Sequence, residues 1–183
     1  LRTESGDAHQ VYGGFDAVLL ALPAPQATAL LNSSSLAPKG LRKLAEVEMA
    51  PCWTLMLAFP NAAQPGLVTL GPQWNAARST HHRVAWLARE SSKPGRTPTE
   101  RWTVQASAQW SREHLQDDAA RIEAKMRKAF TEVTGIYAEP AFTAVRRWRH
   151  ARTLQPLGQT HLWDARARIG ACGDWCTGHR VEE

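Results

Sequence analysis

The chain has 183 residues, of which 43% are hydrophobic and 21% charged, and its formal net charge is +5. That size and balance fit a globular chain that buries a core, and exclude a disordered one. No apolar run approaches the roughly 18 residues that would span a bilayer, and three cysteines give no disulfide framework. No basic-then-apolar leader opens the sequence, and a reducing, cytoplasmic setting is expected.

Residues 1–14 are polar and close on Gly13-Gly14, as the tail of a hairpin and a turn would. Ala17 to Leu22 is a continuous apolar run, the pattern of a buried parallel strand. Pro23 ends it, Pro25 suits a helix first turn, and Ala24 to Leu31 is expected to be a short helix. A loop follows over Asn32 to Gly40, then a helical turn over Leu41 to Val47. Trp53, Leu55, Leu57 and Phe59 alternate onto one face of a strand that Pro60 stops. Further strands are expected at Leu67 to Leu70, at His82 to Arg89 and around Trp102, Val104 and Ala106.

Ser107 to Arg112 is expected to turn the chain. Leu115, Ala119, Ile122, Met126, Ala129, Phe130 and Val133 then repeat at helical spacing, with Asp117 as cap and Gly135 as stop. Phe142 to His150 reads as a long strand that places Arg146, Trp148 and His150 on one face. Leu154 to Asp164 is expected to be an irregular loop.

Metal chemistry finds no support. His81 and His82 are adjacent and would point to opposite faces of a strand. Cys172 and Cys176 have neither zinc-pair nor redox spacing, so both are assigned to packing, Cys172 the deeper. Arginines gather at Arg146, Arg147, Arg149 and Arg152, near Arg166 and Arg168. A solvated strand face accounts for them. Nucleic-acid binding lacks an accompanying helix-turn-helix, RNP or zinc pattern. No Gly-x-Ser-x-Gly elbow is present either.

The last stretch carries the clearest pattern. Ile169-Gly170-Ala171 reads as a strand running into Gly173-Asp174, and Arg180-Val181-Glu182 as the opening of a helix. An acid at the end of such a strand can accept hydrogen bonds from ligand hydroxyls, and a helix start offers N–H groups to an anion. A glycine there permits a sharp bend or a close ligand approach. The same strand, turn and helix start also occur with no ligand at all.

Gly173-Asp174-Trp175-Cys176 with Gly178-His179-Arg180-Val181-Glu182 resembles the C-terminal flavin-binding segment of the flavin amine oxidase superfamily, and within it the bacterial renalase-like proteins. Four more stretches resemble that group in order. They are Phe15 to Gln26, Trp86 to Arg89 with Ser92 to Arg96, Gln109 to Arg112, and Trp148 to Arg152. The Gly-x-Gly-x-x-Gly turn with which that family holds the FAD pyrophosphate does not occur in these residues. The chain is therefore expected to be an internal piece of a longer enzyme.

The resemblance implies an α+β fold. Residues 1–32 would be part of the FAD-binding domain, 33–165 a substrate-binding domain with a mixed or antiparallel sheet and helices, and 166–183 the C-terminal FAD-binding segment. The strand and helix near the start and the strand at the end would be remnants of a Rossmann-like domain. It further implies FAD as cofactor, hydride transfer to flavin N5, and reoxidation by oxygen to hydrogen peroxide. The implied small-molecule substrates are dihydro isomers of NAD(P)H, or amines, with no nucleic acid, membrane or metal involved. Gly173 and Asp174 would meet the ribityl chain, and Arg180 and Val181 would approach the isoalloxazine. Trp175 would shape the cavity, Trp148 or His150 would line it, and some arginines would face an anionic dinucleotide. Two other readings stay open: an inactive substrate-binding lobe, and a basic ligand- or nucleic-acid-binding module.

Overall fold

The computed structural model describes residues 2–5, 8–34, 36, 38–60, 74–97 and 99–178. In chain order the elements are β1 (Arg2–Ser5), β2 (Ala8–Val11), β3 (Val18–Leu20), α1 (Ala24–Ser33), a 3-10 helix (Lys39–Glu46), β4 (Glu48–Phe59), β5 (Ala76–Arg78), β6 (Val84–Arg89), β7 (Glu100–Ala106), α2 (Ala108–Glu113), α3 (Ala119–Thr134), β8 (Phe142–Gln155), β9 (Leu162–Asp164) and β10 (Ile169–Ala171). The fold is α+β, with antiparallel and mixed sheets. No described helix is long and apolar enough to cross a membrane.

Two compact units divide the chain, residues 1–49 with 153–183, and residues 50–152. The 3-10 helix and β9, which the sequence reading placed with the substrate-binding segment, thus share a unit with β3 and β10.

In the first unit β1 and β2 form an antiparallel hairpin. A separate three-stranded sheet runs β3-β10-β9, with β10 parallel to β3 and antiparallel to β9. Its core holds Leu20, Ile169, Ala171 and Leu162 with Ala27 and Leu31 of α1 and Leu41 and Leu44 of the 3-10 helix. Leu41 and Leu44 are three apart, the period at which a 3-10 helix brings side chains onto one line. The expectation that β3 would be buried throughout fails at Leu19, which is 62% exposed. Only the Leu20 side of the strand faces this core, so an apolar run here does not mean burial on both faces.

Asp164 ties β9 to the 3-10 helix. Its Oδ2 accepts from Gly40 N at 2.9 Å and its Oδ1 from Ala167 N at 2.8 Å. A Cβ on Gly40 would collide with the carbonyl of Trp163, so the two backbones meet where only glycine fits.

The second unit is built on the sheet β5-β6-β7-β4-β8. Trp53, Leu55, Leu57 and Phe59 of β4 and Trp102, Val104 and Ala106 of β7 form one apolar face, as alternation predicts. Helix α3 covers it with Ile122, Met126, Ala129 and Phe130. The Phe130 ring stacks on Phe59 at 6.2 Å between centroids and meets Trp102 edge-on at 5.6 Å. At the start of β7, where Glu100 is buried, Arg89 Nη2 donates to its Oε2 at 2.8 Å and Ser91 Oγ to the same oxygen at 3.1 Å.

Local expectations hold in part. Residues 108–113 form a short helix rather than a simple turn, because Ser107 Oγ caps it by accepting from Trp110 N at 3.2 Å. Helix α3 is capped by Asp118, whose Oδ2 accepts from Ala120 N at 3.1 Å. Asp117, the expected cap, instead pairs with Lys125 Nζ at 3.3 Å, and Leu115 lies outside the helix. Gly135 ends α3 at φ 72°, as expected. The expected loop 154–164 contains the end of β8 and all of β9, and the strand expected at Leu67 to Leu70 lies outside the described residues.

Leu55→Ala should cost about 2–5 kcal/mol, read as a fall in denaturation midpoint, because it empties a fully buried site beside α3. Tyr137→Ala, at an 86% exposed side chain, should change the midpoint by less than about 0.5 kcal/mol. Equal losses would overturn this account of the core.

Asp164 is held below the usual carboxylate range by the Gly40 N–H first and the Ala167 N–H second. A lowered folded pKa stabilises above the unfolded value and loses that contribution as pH falls through the folded one. The gap in melting temperature between the native chain and Asp164→Ala should therefore be full near neutrality and close below about pH 4.

Candidate functional site

Residues 169–178 place a carboxylate at the carboxyl end of β10, beside β3, which runs parallel to it. That is the edge at which open α/β sheets take ligands. Beyond β10, Asp174–Cys176 make one 3-10 turn, closed by Cys176 N on Gly173 O at 3.0 Å and Gly178 N on Asp174 O at 3.1 Å.

Trp175 anchors this turn. It is fully buried, and its indole N–H donates to Leu22 O at 3.0 Å, across to the end of β3. The carbonyls of Trp175 and Cys176 accept from Leu157 N and Gln159 N, each at 3.0 Å. Gly173 has extended backbone, φ 167°, so its glycine is not needed for a left-handed bend. It is needed for space: a Cβ would lie 2.7 Å from Trp175 Cδ1 and collide with Nε1. The ring itself fills the room that the missing side chain leaves.

Asp174 is half-buried, and its Oδ1 accepts from Trp175 N at 2.9 Å. Its Oδ2 has no donor among the described residues. The turn therefore presents one carboxylate oxygen, with its backbone fixed from both sides, to any donor that approaches. Arg180 and Val181 lie outside the described residues. Cys176, not Cys172, is the buried thiol of the pair, because its position on the turn points it into the Trp175 core, and burial pushes its pKa up.

In the second unit, β8 carries Trp148, which is 58% exposed, and His150, which is half-buried. Arg146 and Arg152 are exposed and, by alternation, belong to the same face. Arg147 points to the other face, where its guanidinium lies 5.5 Å from the Trp53 ring and Nη1 donates to Leu115 O at 2.7 Å. His81 is engaged structurally: Nδ1 accepts from Arg83 N at 3.2 Å, which leaves Nε2–H to meet Glu132 Oε2 at 3.0 Å.

Sequence reading missed a third feature. A cavity of about 370 Å³ opens on the face of the five-stranded sheet that α3 does not cover, with Glu90, Arg96, Arg101 and Thr103 in its wall. Arg101 and Thr103 alternate with core-facing Trp102 and Val104, so the signal was present in β7, but the pocket needs β4 and the β6–β7 connection as well.

No family model matches the chain. Its fold is shared with two solved oxidases. One is a protein assigned as a protoporphyrinogen oxidase from Exiguobacterium sp. 255-15, with TM-score 0.67 and 14% identity over 98% of this chain. The other is the cyclohexylamine oxidase of Brevibacterium oxydans IH-35A, with TM-score 0.55 and 11% identity over 96% of this chain. The chain spans 40% of the length of each. At these identities the likeness is one of fold.

Gly173→Ala should displace the Trp175 indole from Leu22 O and cost about 1–3 kcal/mol by overpacking. A red-shifted tryptophan emission with a lower melting temperature is the expected result, and an unchanged melting temperature would remove the close-packing role of Gly173.

Proposed function

We propose that this chain is part of an FAD-dependent oxidoreductase of the flavin amine oxidase type, close to its renalase-like branch. The observation that carries the reading is the Gly173-Asp174 turn at the carboxyl end of β10, held beside parallel β3. The shared fold with two oxidases supports it. The resemblance of the same residues to a flavin-binding segment supports it independently of the fold.

The residues fit the cofactor. Among the described residues Asp174 keeps an acceptor oxygen without a donor, which suits a ribityl hydroxyl. The chemistry supplied by a bound FAD would be acceptance of a hydride, with oxygen as final acceptor and hydrogen peroxide as product. This chain's part is binding and placement. Trp175 fixes the height of the Asp174 turn by its bond to Leu22 O. Arg180 and Val181 follow in sequence and would lie toward the isoalloxazine. Trp148 and His150 of β8 would line the substrate side, the exposed indole giving a flat apolar surface for a ring. The substrate is a dihydronicotinamide isomer or an amine.

The longer parent protein should hold flavin, seen in its visible absorption spectrum. The present residues alone should not, since they lack a pyrophosphate-binding glycine turn. Asp174→Ala in the parent should weaken FAD binding at least about tenfold, the loss of one hydrogen bond to a charged group. A parent without flavin, or an Asp174→Ala variant with native affinity, would overturn the reading. Steeply salt-dependent binding of generic DNA by such a flavin-free protein would turn the assignment to a basic binding module, for which exposed Arg146, Arg149 and Arg152 provide the charge.

A further inference from the structure

The cavity on the open face of the five-stranded sheet has a built chemistry of its own. Register pairs Met56 with Thr103 and Ala58 with Arg101, so these four side chains form one block on the face away from α3. Phe142, 56% exposed, joins them at the start of β8, where the preceding Ala141 N donates to Ala58 O at 3.0 Å. The connection from β6 to β7 adds Glu90 and Arg96 to the wall.

The charges in this wall do not cancel. Glu90 is already paired with Lys93, which holds its carboxyl below the usual range, with smaller help from Thr103 and Arg96. Arg89 is committed to buried Glu100. Among the described residues, neither Arg96 nor Arg101 has a carboxylate within 4.0 Å. Arg101 spends Nη2 on Thr97 Oγ1 at 3.1 Å, while its buried Nε–H has no acceptor among the described residues. A buried N–H without an acceptor costs about 1–3 kcal/mol, and folded proteins keep few of them. A guanidinium with free donors beside a second one, over an apolar floor, matches an oxyanion carried on an apolar body.

We propose that this pocket is an anion subsite, in which Arg96 and Arg101 bind a carboxylate or phosphate while Met56, Ala58 and Phe142 receive the apolar part of the same ligand. The inference rests on the oxidase reading only in taking that ligand to be the substrate. Of the two substrate classes it selects the anionic one, because the wall sets two guanidinium groups against one carboxylate, Glu90, which already pairs with Lys93.

Calorimetric titration of the full chain with benzoate, and separately with inorganic pyrophosphate, tests the site. At least one probe should bind saturably. Its affinity should fall about tenfold in Arg101→Gln, as one charge-assisted bond is lost, and by less in Arg101→Lys, which keeps the charge without the fork. Arg96→Gln, at an exposed position, gives the same reading if Arg101→Gln does not fold, which circular dichroism would show. Binding of benzoate alone assigns a carboxylate, and of pyrophosphate alone a phosphate. No binding of either probe, affinity unchanged in both glutamine variants, or benzylamine competing with benzoate for the pocket would overturn the proposal. The flavin spectrum is read separately. Arginine-dependent anion binding by this chain, together with a longer parent protein that holds no flavin, would sink the oxidase reading and leave the subsite standing.

Discussion

The pairing of β10 between β3 and β9 is the constraint on which the first unit depends. It joins residues near both ends of the chain, with Ile169 opposite Val18 on one side and Asp164 on the other. All three residues of β10 are buried, so its backbone groups are satisfied by those ladders rather than by water. Once β10 is seated, the chain must leave it beside Leu22, and the Trp175 indole closes on the Leu22 carbonyl. The Asp174 turn is thus placed by the packing behind it, and its carboxylate is oriented by the Trp175 N–H on Oδ1. A functional group held this way can keep a free oxygen at its surface.

The second unit solves a different problem. Its sheet has one apolar face sealed by α3 and another that stays open. Alternation divides each strand between the two tasks: Leu55, Leu57, Trp102 and Val104 hold the helix, while Met56, Ala58, Arg101 and Thr103 are released from packing. The Arg89–Glu100 pair lies on the sealed face, where Ser91 adds a second donor to the carboxylate. Among the described residues, Arg96 and Arg101 of the open face have no carboxylate within 4.0 Å. The same residue type therefore does structural work on one side and leaves charge available on the other.

The fold shared with two oxidases and the resemblance at the Gly173-Asp174 turn are separate lines of support. The first is a property of backbone arrangement, shared at 14% and 11% identity. The second rests on a few side chains at one strand end. Fold alone hosts many chemistries, so the turn carries the functional reading.

By itself the sequence determined the elements whose signal is local. Alternation marked β4 and β7, helical spacing marked the core stripe of α3, and Gly135 marked its end. It also singled out Gly173 and Asp174, since a Gly-Asp pair after a short apolar strand is a readable pattern. Only the tertiary structure decided the rest, because the forces involved act between residues far apart in the chain. β9 became a strand because β10 offered it a ladder. Asp118 displaced Asp117 as the cap because Asp117 had Lys125 within reach. Leu19 stayed exposed because one face of its sheet has no cover from this unit's core. Gly173 was expected to bend the chain or admit a ligand, yet its missing side chain makes room for Trp175. The Arg96–Arg101 pocket was illegible for the same reason: three separated segments must meet before two guanidinium groups face one cavity.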